Sequence, residues 1–237
     1  MFALQAAIGS VNDIADADRD LAKPGKPIPA GLVSAGQAAV VAIGAIVVGL
    51  VLAVPSGLPT VAIALLGLAI GLLYDLRLKG TAWSWLPFAI GVPLLPVFAW
   101  IGATGELPRT FVILVPAAFA AGTALAIANA VADVDRDRAS GVGSVAVALG
   151  RRVAWRLHAV LLLIVFGVAL GSLTLGQRAG PGALALAAVA AGGLLVAAGG
   201  GMSLSEGAER RERGWELEAV GIGVAALGWI AGVDGLT

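Results

Sequence analysis

The run Asn12-Asp13-Ile14-Ala15-Asp16-Ala17-Asp18-Arg19-Asp20 puts four carboxylates into nine residues of an otherwise greasy chain. Taken as a helix, Asn12, Asp16 and Asp20 fall at i, i+4 and i+8 and line one face. Like charges at that spacing repel, so a cation is expected among them, and a set of amide and carboxylate oxygens suits Mg²⁺. The same arithmetic recurs in Asn129-Ala-Val-Ala-Asp133-Val-Asp135-Arg136-Asp137, where Asn129, Asp133 and Asp137 share a face. One acidic run alone reads as a solvated loop. Two runs with the same Asn-x-x-x-Asp-x-x-x-Asp pattern argue for a pair of metal-binding patches. Asp18 and Asp135 lie off that face and read as solvated or supporting residues.

Carboxylates that hold two Mg²⁺ ions can bind a diphosphate, whose remaining charge lysine or arginine neutralises. Lys23, Lys26, Arg77 and Lys79 are the candidates. For Lys26 and Arg77 the plainer reading, a basic residue that only sets topology, weighs equally. Lys79 stands in Tyr74-Asp-Leu-Arg-Leu-Lys79-Gly80, which also contains the only tyrosine of the chain.

The elements that must position these groups are membrane helices. Of the 237 residues, 59% are hydrophobic and 13% charged, with a mean hydropathy of +0.97, against about 25% charged in a soluble domain. Apolar segments at about 37–54, 58–73, 82–103, 109–128, 153–175, 181–202 and 215–233 approach the ~20 residues needed to span a bilayer. Residues 1–11 have no basic start or cleavage-like spacer, so they read as the last turns of a further helix rather than as a signal peptide. The expected fold is an all-α polytopic membrane bundle. It is one transmembrane domain over 1–237, with halves 1–128 and 129–237 that each carry one acidic motif. Four spans between the motifs make the repeat parallel, and a central cavity between two four-helix halves follows from it. All the Lys and Arg residues except Arg109 and Arg178 fall in loops on one side, which the positive-inside rule places in the cytoplasm.

Composition also excludes functions. The net charge is zero, so no basic field suggests a nucleic-acid partner. There is no cysteine and a single histidine, His158, which removes disulfides, thiolate metal sites and multi-histidine zinc or haem sites.

Taken in order, Asn12-Asp13-x-x-Asp16-x-x-x-Asp20, Lys23-Pro…Pro27-Ile-Pro-x-Gly31, Tyr74…Leu78-Lys79-Gly80 and Asp133-x-x-x-Asp137-x-x-x-Gly141 resemble the UbiA superfamily of intramembrane prenyltransferases. The resemblance covers nearly the whole chain. It implies nine helices around a lipid-open cavity, of which this chain begins partway through the second. It also implies two Mg²⁺ ions between the aspartate motifs and an isoprenyl diphosphate. On this pattern Asn12, Asp13, Asp16, Asp20, Asn129, Asp133 and Asp137 are the metal ligands. Lys23, Arg77 and Lys79 meet the diphosphate, and Asp16, Asp137, Lys79 and Tyr74 are the catalytic candidates. The expected reaction is Mg²⁺-dependent transfer of an isoprenyl group to an aromatic or lipid-soluble acceptor within the membrane. The resemblance also allows a terpene cyclase or a polyprenyl-phosphate phosphoribosyltransferase. From another class, a divalent-cation transporter would also use paired carboxylates, but at the bilayer midplane rather than at helix ends.

The remaining features read as structural. Trp83, Trp85 and Trp100 suit the aromatic belts at the two ends of one span. Gly67/Gly71 and Gly167/Gly171 suit close helix packing. Pro87, Pro93 and Pro96 are expected to kink their segment. Glu206/Arg210 and Glu209/Arg213 are i,i+4 pairs of a short solvated helix, and His158 is read as an interfacial residue.

Overall fold

The computed structural model describes residues 1–18, 21, 25–175 and 182–233. Its elements are helical, with no strand among the described residues: α1 (Phe2–Ala15), α2 (Ala35–Ala53), α3 (Leu58–Leu73), α4 (Leu86–Thr104), α5 (Phe111–Ala139), α6 (Val145–Leu149), α7 (Arg151–Leu175), α8 (Ala183–Met202) and α9 (Ala208–Gly232). A short 3₁₀ turn, Val54–Ser56, follows α2, and a π-helical turn, Tyr74–Leu78, follows α3. All seven expected apolar segments are helices long and apolar enough to cross a membrane, from Ala35–Ser56 to Ala208–Gly232. Local sequence explains several ends. Ser34 and Gln37 form a capping box at the start of α2, and Pro59 sits in the first turn of α3, where its missing N–H costs nothing.

The chain divides into two compact units. The first contains residues 1–79 and 94–107, the second 80–93 and 108–237. The boundary inside α4 falls immediately after Pro93, whose ring and absent N–H interrupt the helical ladder.

In the first unit α1 packs on α2 and α3 around Leu4, Ala53, Ala64 and Leu68, with Ile8 and Phe98 against them. Lipid is as apolar as a leucine side chain, so helix association here rests on close fit rather than on escape from water. Two glycines provide it. A Cβ on Gly49 would lie 2.7 Å from Leu4 Cδ2, and one on Gly71 would lie 2.8 Å from Ile8 Cγ1. Gly67 faces open space, so of the expected pair only Gly71 is a packing position.

In the second unit the buried face of α5, with Ile127, Ala130, Val131 and Val134, meets Val145 and Ala146 of α6 and Ala154 of α7. Gly167 and Gly171 contact nothing within reach, contrary to expectation. The close helix pair is α8 with α9 instead. A Cβ on Gly221 would lie 2.7 Å from the Gly192 carbonyl oxygen, and one on Gly214 would lie 2.7 Å from that of Gly199. Backbone meets backbone at both points, so no side chain can move aside.

Candidate active site

Each acidic motif lies at the end of a helix, but the two ends are built differently. In the first unit α1 stops at Ala15, and Asp16 is the cap, with its N–H bonded to the Asn12 carbonyl. The expected helical face therefore holds for Asn12 and Asp16, one turn apart, and stops there. Asp20 lies beyond the helix, and both it and Lys23 fall outside the described residues.

The geometry at this end follows from electrostatics. The C-terminus of a helix carries partial negative charge on its unpaired carbonyls. Adding Asp16, only 6% exposed, makes a negative cluster that is costly without a cation. Lys79 is that cation. Its Nζ donates to Asn12 Oδ1 at 2.5 Å and to Asp16 Oδ2. The π turn delivers it, closing with the Lys79 N–H on the Tyr74 carbonyl at 2.8 Å; such turns are frequent at functional sites. Gly71, one turn earlier on α3, sets how closely α1 approaches. Asp13 points elsewhere and takes Lys26 at 2.7 Å, so Lys26 serves the motif itself. Arg77 is exposed. Asp75, passed over in the sequence, lies within electrostatic reach of Lys79 and Asp16. Its Oδ2 is buried without a hydrogen-bond partner among the described residues.

In the second unit the motif stays helical to its end. Asn129, Asp133 and Asp137 line one half-buried stripe of α5, beside the face that packs on α6 and α7. The helix stops at Ser140 in a Schellman arrangement, with Val142 N–H on the Asp137 carbonyl at 2.8 Å and Gly141 N–H on that of Arg138 at 3.3 Å. Gly141 has φ +71°, which explains the Asp137-x-x-x-Gly141 spacing as a helix stop. Asp133 pairs with Arg136 one turn on.

Two groups of α9, buried Arg211 and half-buried Trp215, hold α5, and neither stood out in the sequence. Arg211 of α9 is 1% exposed. It donates to the Ala132 carbonyl at 3.2 Å, to Asp135 Oδ2 at 2.7 Å and to the Ser205 and Glu206 carbonyls at 3.2 and 2.7 Å. Asp135 is therefore a partner of Arg211. Trp215 Nε1 donates to the Leu125 carbonyl at 3.0 Å. Farther along α9, Glu218 is fully buried against His158 of α7, whose Nε2 lies 3.2 Å from both carboxylate oxygens. His158 Nδ1 donates to the Trp155 carbonyl at 2.8 Å, so His158 is an interior residue and not an interfacial one. The expected short solvated helix is the first two turns of α9. There Glu209 pairs with Arg213 at 2.7 Å, whereas Glu206 precedes the helix and pairs with Arg151 at 3.3 Å.

The model of the UbiA prenyltransferase family matches residues 1–210. The chain belongs to that family. A digeranylgeranylglyceryl phosphate synthase of Methanopyrus kandleri is 33% identical over 169 residues, 70% of this chain and 59% of the relative. One of Sulfolobus acidocaldarius is 28% identical over 160 residues, 65% of this chain and 57% of the relative. The match thus spans less than two thirds of these relatives' length. Among solved structures, the apo form of a UbiA homolog from Aeropyrum pernix K1 has a TM-score of 0.74 at 21% identity, over 97% of this chain and 85% of that one. A UbiA homolog from Archaeoglobus fulgidus bound to GPP and Mg²⁺ has a TM-score of 0.60 at 18% identity, over 95% and 71%. These likenesses fix the fold of this UbiA-family chain as all-helical, and with its seven apolar helices make it a multi-pass membrane protein.

The side chains present suit a hard divalent cation without forming a closed cage. Among the described residues no three Asp, Glu or His side chains converge on a point where a metal could sit. What converges is an amide oxygen and a carboxylate, already gripping an ammonium, beside the orphaned oxygen of Asp75. That is an oxygen-only donor set of the kind Mg²⁺ uses when substrate phosphates complete its coordination.

Proposed function

We propose that this UbiA-family chain transfers an isoprenyl group from an isoprenyl diphosphate to a lipid-soluble or aromatic acceptor in the membrane, with Mg²⁺ as cofactor. The observation that carries this reading is the cation held by Asn12 and Asp16 at the end of α1. A cluster built around positive charge, on the motif that names the family's chemistry, is what a diphosphate needs as its counter-pole. Asn12, Asp13, Asp16 and Asp20 in the first motif, and Asn129, Asp133 and Asp137 in the second, are the residues that would hold Mg²⁺. When bound, Mg²⁺ supplies neutralising charge to the departing diphosphate.

The chain's own groups do the rest. Lys79, Lys23 and Arg77 donate to diphosphate oxygens, and Lys79 is the best placed because the π turn already fixes its ammonium at the motif. Charge growing on the leaving group is stabilised by these fixed donors. The carbon–oxygen bond breaks to give pyrophosphate and an allylic cation, the acceptor's electron pair forms the new bond, and the displaced proton leaves the acceptor. Asp16 and Asp137 are the carboxylates available to take it, and Tyr74 borders the same turn. Apolar helix walls keep water from quenching the cation. We place the motif ends on the cytoplasmic side, where the basic loops fall.

The relatives named digeranylgeranylglyceryl phosphate synthases support a glyceryl phosphate lipid as the first acceptor to try. The test is product analysis with radiolabelled geranylgeranyl diphosphate and Mg²⁺, offering a geranylgeranylglyceryl phosphate or a phenolic acceptor. Label is expected in the lipid acceptor. Label recovered only in a cyclised hydrocarbon would replace transfer by cyclisation, and no pyrophosphate release with any acceptor would end the enzymatic reading.

A further inference from the structure

The second unit carries a basic pocket that neither acidic motif uses. It has a volume of about 460 Å³ at the start of α7 and is lined by Arg151, Arg152, Trp155, Arg156, Ser203, Leu204 and Glu206. It gathers three arginines within two turns at the start of a membrane-crossing helix. Arg151 is spoken for: it bonds the Leu204 and Ser205 carbonyls at 2.9 and 2.5 Å and lies 3.3 Å from Glu206. That brace ties α7 to the segment joining α8 and α9, and it uses the pocket's only carboxylate. Trp155 is fixed as well, with Nε1 on the Gly200 carbonyl at 3.0 Å. Arg152 and Arg156 are different. Both are exposed, and no carboxylate among the described residues pairs with either.

Their spacing shows what they face. Arg152 and Arg156 are one turn apart on a stripe that continues into Val160 and Leu163, which are 52% and 73% exposed. Leu157 and Ile164 flank it, also exposed. Two positive charges, unpaired among the described residues, therefore sit at the end of a membrane-crossing helix directly above an uncovered apolar strip, with an indole one turn inside. A free phosphate or nucleotide would use the charges and leave the strip bare. A phospholipid uses both: its phosphate meets the guanidiniums, which recognise phosphate oxygens through paired N–H donors, and its acyl chains lie along Val160, Leu163 and Ile164. Basic pockets at helix ends are known lipid headgroup sites.

We propose that this pocket is a binding site for an anionic phospholipid, separate from the diphosphate motifs. The experiment titrates the detergent-purified protein with phosphatidylglycerol, with phosphatidylcholine and with inorganic phosphate, and reads retained lipid by native mass spectrometry. Phosphatidylglycerol is expected to bind saturably and in preference to phosphatidylcholine. The double variant Arg152→Gln/Arg156→Gln should bind it about thirty-fold more weakly, the factor given by two surface charges. Both side chains are exposed and pair with no carboxylate among the described residues, so this variant should keep the wild-type unfolding midpoint in phosphatidylcholine. Equal retention of the two lipids, undiminished binding in the variant, or full competition by millimolar inorganic phosphate would each overturn the proposal. None of these readouts depends on prenyl transfer, so failure of the catalytic reading leaves the result interpretable.

Discussion

Replacing Asp16 with alanine is expected to slow pyrophosphate release from geranylgeranyl diphosphate by about 10²–10³-fold, the scale of losing one preorganised charged group in a transition-state clamp. The fold should survive. Lys79, a partner of Asp16, has a side chain 30% exposed and keeps Asn12 as an acceptor, so the substitution does not strand its ammonium as a buried charge. Asp18, exposed and two residues on, is the control, and Asp18→Ala should retain the wild-type rate. The measurement is a coupled pyrophosphate assay on both variants with their unfolding midpoints in detergent. Equal rates for Asp16→Ala and Asp18→Ala would show that the cluster at the end of α1 is no part of the site.

Gly71→Leu is expected to lower the same rate by about 10²-fold, although no atom of Gly71 touches the motif. A side chain there collides with Ile8, and overpacking of a close contact is relieved by backbone shifts. Ile8 sits one turn before Asn12, so α1 moves and takes the amide and carboxylate away from Lys79. A misplacement of about 1 Å at a reacting centre costs on that order. Gly67→Leu, one turn away on the same helix, points its new side chain into open space and should leave the rate unchanged. The paired assay is decisive because the two substitutions are chemically identical.

That contrast also marks where the sequence stops being readable. Periodicity and apolar length found all seven membrane-crossing helices, because those signals are local. A glycine's partner is not local. Gly67 and Gly71 look alike on a helical wheel, and only Ile8 on another helix separates them. The close α8–α9 pair rests on Gly214 and Gly221 of α9 against Gly199 and Gly192 of α8, a match that the expected glycine pairs did not include.

The motifs divide in the same way. Spacing placed Asn129, Asp133 and Asp137 on one stripe of α5, and the Gly141 helix stop fits a residue that only glycine suits. Spacing also extended the first motif through Asp20 as a helix, whereas α1 ends at Ala15, where the capping of Asp16 prevails over continued periodicity. Lys79 was legible from its place beside the only tyrosine. Asp75, Arg211 and Glu218 were not, because each acquires meaning from a partner on another element. The burial of Glu218 against His158, 60 residues away, has no sequence signature.

The most direct measurement is equilibrium binding of geranylgeranyl thiolodiphosphate, an analogue whose carbon–sulfur bond resists cleavage, to the detergent-purified chain with Mg²⁺ and with EDTA. Saturable binding in Mg²⁺ that disappears in EDTA, and disappears in Asp16→Ala even with Mg²⁺ present, is the predicted result. Binding of equal strength with and without Mg²⁺, or in the wild type and Asp16→Ala alike, would contradict a diphosphate held through metal by the acidic motifs.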